Sequence, residues 1–138
     1  MNYLLDTNAV IALLRNEPAN VRSQLQQAVA SGASIAVSTV VLYELWYGVA
    51  RSTRRQENAE RLHVFLSGAV AIVPFDDEDA RMAGELRAIL EAAGMPIGPY
   101  DVLIAAQALR CGATLVTANT AEFARVPDLT WQDWSGTH

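Results

Sequence analysis

At 138 residues, 51% of them hydrophobic, the chain is long enough to bury one core and too apolar to stay disordered. Fifteen acidic against ten basic residues leave a net charge of −5, which argues against a broad nonspecific DNA-binding surface; no run is long and apolar enough for a membrane span or an export signal, so a soluble, cytoplasmic protein is expected. All ten basic residues are Arg, and without Lys the chain is excluded from Schiff-base chemistry, Walker-type phosphate loops and aspartate–lysine phosphotransfer.

Tyr3-Leu4-Leu5 predicts a short buried strand, followed by a helix from about Asn8 to Arg15 that Thr7 or Asn8 can cap. Pro18 opens a second helix with Val21, Leu25 and Val29 on one face, and Gly32 ends it. SIAVS (34–38) predicts strand two, STVVLYELWYGVA helix three and RQENAERLHVFLSG helix four. AIVPF (71–75) predicts strand three. Asp76, Asp77, Glu78 and Asp79 introduce helix five, with Met82, Leu86, Ile89 and Leu90 as its apolar face and Gly94 as its end. Pro96-Ile97-Gly98-Pro99 is a rigid connection into helix six, which runs to Gly112. TLVT (114–117) predicts strand four, TAEFARV a brief helical turn, and LTWQDW a fifth, edge strand. Strands alternating with helices predict a single α/β domain over residues 1–138, with a mainly parallel sheet of about five strands flanked by helices.

In such sheets ligands bind outside the carboxyl ends of the strands. Asp6 follows strand one, Glu44 lies one or two turns into the helix after strand two, Asp101 is in the first turn of helix six, and Asn119 and Glu122 follow strand four. A right-handed doubly wound topology permits all five to meet at one end. Asp6 or Asp101 could equally serve as a helix cap, worth about 1 kcal/mol. Glu44 is different. It stands among apolar neighbours with no Arg one turn away, and an unpaired carboxylate there carries a desolvation penalty. Gly48, one turn on, leaves room for a ligand beside it.

Other polar groups have simpler readings. The acidic run 76–79 suits a solvated helix entrance. Tyr43, Trp46 and Tyr47 could stack bases, but core or interface packing is the expectation. Arg51, Arg54 and Arg55 form a solvated junction that could contact RNA phosphates if it lies near an acidic site. His63 is expected to be a partly exposed structural residue and His138 a disordered end, and neither lies in a nucleophile motif. Cys111, the single cysteine, is expected to be a small buried hydrophobe. Catalysis must then rest on carboxylates, whose mutual repulsion calls for a cation. All-oxygen donors suit Mg²⁺ or Mn²⁺, which can activate water against a phosphodiester.

LLDTN, YELWYG, IGPYDVLIAAQAL and LVTANTAEF, in this order and at these spacings, resemble the PIN-domain ribonucleases, and more narrowly the VapC toxins of bacterial type II toxin–antitoxin systems. The likeness spans Tyr3 to the terminal LTWQDWS. It implies a Mg²⁺-dependent endoribonuclease acting on tRNA or another structured RNA. The site it implies is Asp6, Glu44 and Asp101 as metal ligands, with Asn119 at the fourth position and Thr7, Thr117 and Glu122 in support. Many relatives carry Asp where Asn119 stands, so Glu122 is the alternative fourth group. A VapB antitoxin, a homodimer and a larger toxin–antitoxin assembly are implied likewise.

Three other readings compete with this one. A haloacid-dehalogenase-like phosphatase wants a second Asp where Asn8 stands, and a Lys. A dinucleotide-binding domain wants glycines after strand one, and DTNAVIA has none. A catalytically inactive PIN-like module that binds RNA or protein differs from the enzyme only in metal-dependent cleavage.

Overall fold

A computed structural model describes residues 2–136, so His138 lies outside the described residues. The elements are β1 (Tyr3–Leu5), α1 (Thr7–Arg15), α2 (Ala19–Ala30), β2 (Ile35–Ser38), α3 (Thr39–Arg51) and α4 (Arg55–Leu66). They continue with β3 (Val70–Val73), α5 (Asp77–Ala92), α6 (Pro99–Cys111), β4 (Thr114–Val116), α7 (Thr120–Phe123) and β5 (Trp131–Gln132). The five strands form one sheet in the order β3-β2-β1-β4-β5, and every pairing is parallel.

The central strand β1 is apolar because both faces are covered: Leu4 is 2% exposed and Leu5 is fully buried. Its register is decisive for function. Leu5 pairs with Val37 on one side and Val116 on the other, so Asp6, Ser38 and Thr117 leave three adjacent strands at the same level. The strand order reverses between β1 and β4, which makes this edge the switch point of the sheet. The core around it comprises Val10, Leu13, Val41, Leu62, Ile104, Leu115 and Phe123, all at most 1% exposed. No helix among the described residues is long and apolar enough to cross a membrane.

Several expectations need correction. Helix α1 starts at Thr7 and its cap is Asp6, whose side chain accepts from Ala9 N at 2.8 Å, rather than Thr7 or Asn8. The backbone of Asp6 is already extended by its strand, which is the conformation a cap requires. Strand β3 is Val70–Val73, not 71–75, because Pro74 has no N–H for a ladder and the Phe75 N–H donates instead to Thr39 Oγ1 at 3.0 Å. Ile89 is 57% exposed and Val29 41%, so the apolar faces of α5 and α2 are narrower than their periodicity suggests. Cys111 is exposed, not buried. It is the last residue of α6, and left-handed Gly112 turns the chain away immediately after it.

The acidic run 76–79 is only partly a solvated entrance. Asp76 and Asp79 form a reciprocal capping box, and the Asp79 side chain is fully buried. Arg110 reaches back from the end of α6 to bond Asp79 with two nitrogens, and also pairs with Asp76 at 3.4 Å and Glu78 at 3.6 Å. Hydrogen bonds from Arg110 and from the backbone outweigh burial and hold Asp79 below its usual carboxylate range. This pairing ties the start of α5 to α6, the helix that carries Asp101. The core reading also fails for Tyr43 and Tyr47, each 57% exposed. Trp46 is half-buried, its ring 5.0 Å from that of an exposed His63.

Candidate active site

The acidic site is built from strand ends and helix starts. Asp6 is 5% exposed at the end of β1. Burial raises its pKa; hydrogen bonds from Thr117 and the Ala9 N–H lower it, while the nearby charges of Glu44 and Asp133 push it up again. Thr7, the next residue, donates through Oγ1 to Glu44 Oε1 at 2.7 Å, which fixes the half-buried Glu44 against α1. Glu44 reaches this position because Ser38 caps α3 through the Val40 N–H and so sets the phase of the helix.

Asp101 arrives from the opposite side. Pro99 pre-sets the backbone at the start of α6, which places Asp101 in the first turn. Its pKa is raised to about 7, by burial first, then by the charge and hydrogen bond of Glu122 and by repulsion from Asp6 and Glu44. Burial and the Glu122 charge thus both favour the neutral form of Asp101. Glu122 is the better-solvated anion: the Gly98 N–H donates to its Oε1, Asn119 Nδ2 donates to its Oε2 at 2.5 Å, and its pKa is lowered. Asn119 Nδ2 also approaches Asp101 Oδ2 at 3.5 Å, so one amide bridges the two acids. Its own N–H donates to Thr117 Oγ1 at 3.0 Å, which links it to the hydroxyl that serves Asp6.

The residues singled out from sequence thus divide cleanly. Asp6, Thr7, Glu44, Asp101, Thr117, Asn119 and Glu122 form one connected group. Arg51, Arg54 and Arg55 are all exposed at the α3–α4 junction and make no ion pair with the acids; Arg54 pairs with Glu57 at 3.4 Å. Among the described residues no Arg forms an ion pair with Asp6, Glu44 or Asp101. Gly48 is open as expected, with nothing within 4 Å of the position a Cβ would take, and it lines a cavity of about 350 Å³ beside Glu44.

Two participants were missed by sequence reasoning. Gly98 was treated as part of a rigid connection, yet its backbone approaches the acids so closely that a Cβ would lie 3.2 Å from Asp101 Oδ2 and 3.4 Å from Glu122 Oε1. The signal was a glycine one residue ahead of a helix-opening proline. Asp133, in the turn after β5, adds a further negative charge near Asp6 and is itself held by the Ser135 N–H at 2.8 Å. Only its position after a predicted strand could have marked it.

Among the described residues no three His, Cys, Asp or Glu side chains form a ready-made ion site. The donor set nonetheless fits a hard divalent cation. All its donors are oxygens, Asp101 is driven toward neutrality by burial and then by its acidic neighbours, and among the described residues no side-chain cation pairs with Asp6, Glu44 or Asp101.

The chain is similar to known proteins over almost its whole length. The family model described as PIN domain matches residues 3–129. The chain is similar to ribonuclease VapC2 of Rickettsia felis, at 40% identity over 97% of this chain and 98% of the relative. It is also similar to the tRNA(fMet)-specific endonuclease VapC of Shigella flexneri, at 36% identity over 98% and 99%. Among solved structures, VapBC2 from Rickettsia felis bound to a DNA fragment from its promoter matches with a TM-score of 0.90 and 39% identity, covering 97% of this chain and 99% of that one.

Proposed function

The chain belongs to the PIN-domain family, and from that premise we propose that it is an endoribonuclease toxin of the VapC type, restrained by a VapB-type antitoxin. The observation that carries the reading is the connected group of Asp6, Glu44, Asp101 and Glu122 at the switch point of the sheet. The substrate we assign is tRNA or another structured RNA. A homodimer, assembled further with antitoxin, is the form proposed in the cell.

Asp6, Glu44 and Asp101 would hold Mg²⁺ or Mn²⁺, with Asn119 and Glu122 completing the polar wall. When bound, such an ion supplies charge stabilisation to phosphodiester oxygens and makes water a better nucleophile. The chain's own groups prepare the site. Thr117 and the Ala9 N–H hold the Asp6 carboxylate in one orientation, and Thr7 does the same for Glu44. The Gly98 N–H and the Asn119 amide favour the charged form of Glu122 beside Asp101, whose own pKa is raised by burial and by that charge. Asp101 would hold an ion only as the carboxylate, so proton loss from Asp101 and ion binding would be linked.

The test is RNA cleavage by the purified chain freed of antitoxin. Cleavage should stop in EDTA, return with Mg²⁺ or Mn²⁺, and be suppressed by the neighbouring antitoxin. Full cleavage in EDTA would overturn the metal role, and no cleavage with either metal would favour a binding module. Sequencing of new 5′ ends after induction identifies the RNA.

A further inference from the structure

Three tyrosines are exposed on the two helices that carry Glu44 and Asp101. Tyr43 and Tyr47 are 57% exposed and Tyr100 is 42% exposed. Tyr43 immediately precedes Glu44 and Tyr100 immediately precedes Asp101, on two different helices. The two rings nevertheless meet, with centroids 5.7 Å apart at 47° and hydroxyl oxygens 3.5 Å apart. Along α3, Tyr43, Tyr47 and Arg51 recur at i, i+4 and i+8, a stripe about 12 Å long on one edge of the helix. The Arg51 guanidinium lies 5.5 Å from the Tyr47 ring centroid, and Arg51 makes no salt bridge among the described residues.

Electrostatics says what this stripe must contribute. With a net charge of −5 and several carboxylates gathered at the site, the protein offers RNA phosphates little general attraction. Most of the affinity then has to come from contacts that do not depend on positive charge. Base–aromatic stacking is such a contact, and it accepts any base that is unpaired.

Resting on the endoribonuclease reading, we propose that Tyr43 and Tyr100, continued by Tyr47 and Arg51, form a stacking platform for unpaired nucleobases adjoining the scissile phosphate. The centroid spacing of 5.7 Å is too small to sandwich a base, which needs about 7 Å, twice the ~3.4 Å spacing of stacked bases. The base therefore lies on the outer face of the pair, and the contact between the rings holds them in place. Arg51 meets the backbone phosphate one or two nucleotides away. Ring faces do not read base edges, so the platform selects single-stranded, accessible positions in a folded RNA rather than a sequence.

The experiment uses a stem-loop RNA carrying 2-aminopurine at successive loop positions. Stacking quenches this base, so binding is read in EDTA without cleavage, and KM and kcat are then measured with Mg²⁺. Tyr43→Ala and Tyr100→Ala should each raise KM about tenfold, the low end of base–aromatic stacking. They should also leave kcat within about twofold and abolish quenching at one loop position. Tyr43→Phe and Tyr100→Phe should keep all three values. Wild-type quenching and KM in the Ala variants would overturn the platform. So would Phe variants as damaged as Ala variants, or Ala variants that lose affinity only by dissociating a dimer in sedimentation. If the wild-type protein cleaves no RNA at all, the endoribonuclease reading itself falls; if it cleaves and the Ala variants match it, only the platform does.

Discussion

Replacing Asp101 by Asn removes a negative charge while keeping size and hydrogen-bonding capacity at the start of α6. In the folded protein burial and three acidic neighbours raise the Asp101 pKa from 3.8 to about 7. About three units correspond to ~4 kcal/mol at 1.36 kcal/mol each, and solvent screening of this half-buried group reduces that to about 2 kcal/mol. The sign follows from proton binding. Below its unfolded value the group is neutral in both states; between about pH 4 and 7 only the folded state keeps the proton, so stability falls as pH rises through that window. Asn titrates nowhere and escapes this loss. Asp101→Asn should therefore match the wild type near pH 4 and be about 2 kcal/mol more stable near pH 8 in EDTA, a rise of roughly 8 °C in melting temperature for a chain of this size. The same variant should lose RNA cleavage with Mg²⁺, because the carboxylate proposed to bind the ion is gone. Asp128→Asn is the control, since Asp128 is exposed in a left-handed turn at φ 65°, a conformation Asn accepts. Equal melting shifts at both pH values, or cleavage at the wild-type rate, would refute the reasoning.

Asp79→Asn should destabilise the protein by about 2 kcal/mol at neutral pH, because it breaks a pairing whose acid is buried while its Arg stays partly solvated. Since Asp79 is held below its usual range, this contribution is present above about pH 3.8 and fades as pH falls, so urea melts of the two proteins should converge in acid. Thr7→Ala frees Glu44 and should lower kcat about tenfold with little change in melting temperature, while Thr7→Ser restores it. Gly98→Ala keeps an allowed backbone at φ −57° but crowds both carboxylates, so cleavage should fall in a fold that far-ultraviolet circular dichroism reports as intact.

Much of the architecture was legible because it depends on short-range rules. Periodicity located the strands and the major helices, Pro99 and Gly112 marked the ends of α6, and the absence of Lys directed attention to carboxylates. The lone Glu44 in an apolar helix was legible for the same reason: a charge among hydrophobes needs a cause wherever the chain goes. What stayed illegible depended on which surfaces meet. Asp79 looked solvated until α6 brought Arg110, 31 residues away, against it. Tyr43 and Tyr47 suited core or interface packing, and the core half of that reading failed because sequence reports apolarity and not which side of α3 the sheet covers. Gly98 and Asp133 joined the site only through distant contacts, 24 residues separating Gly98 from Glu122. Composition and local pattern determined the chemistry available to this chain and the class of sheet that displays it. The parallel register of β1 with β2 and β4 decided which carboxylates face one another, because interactions between charges depend on distance through space and not along the chain.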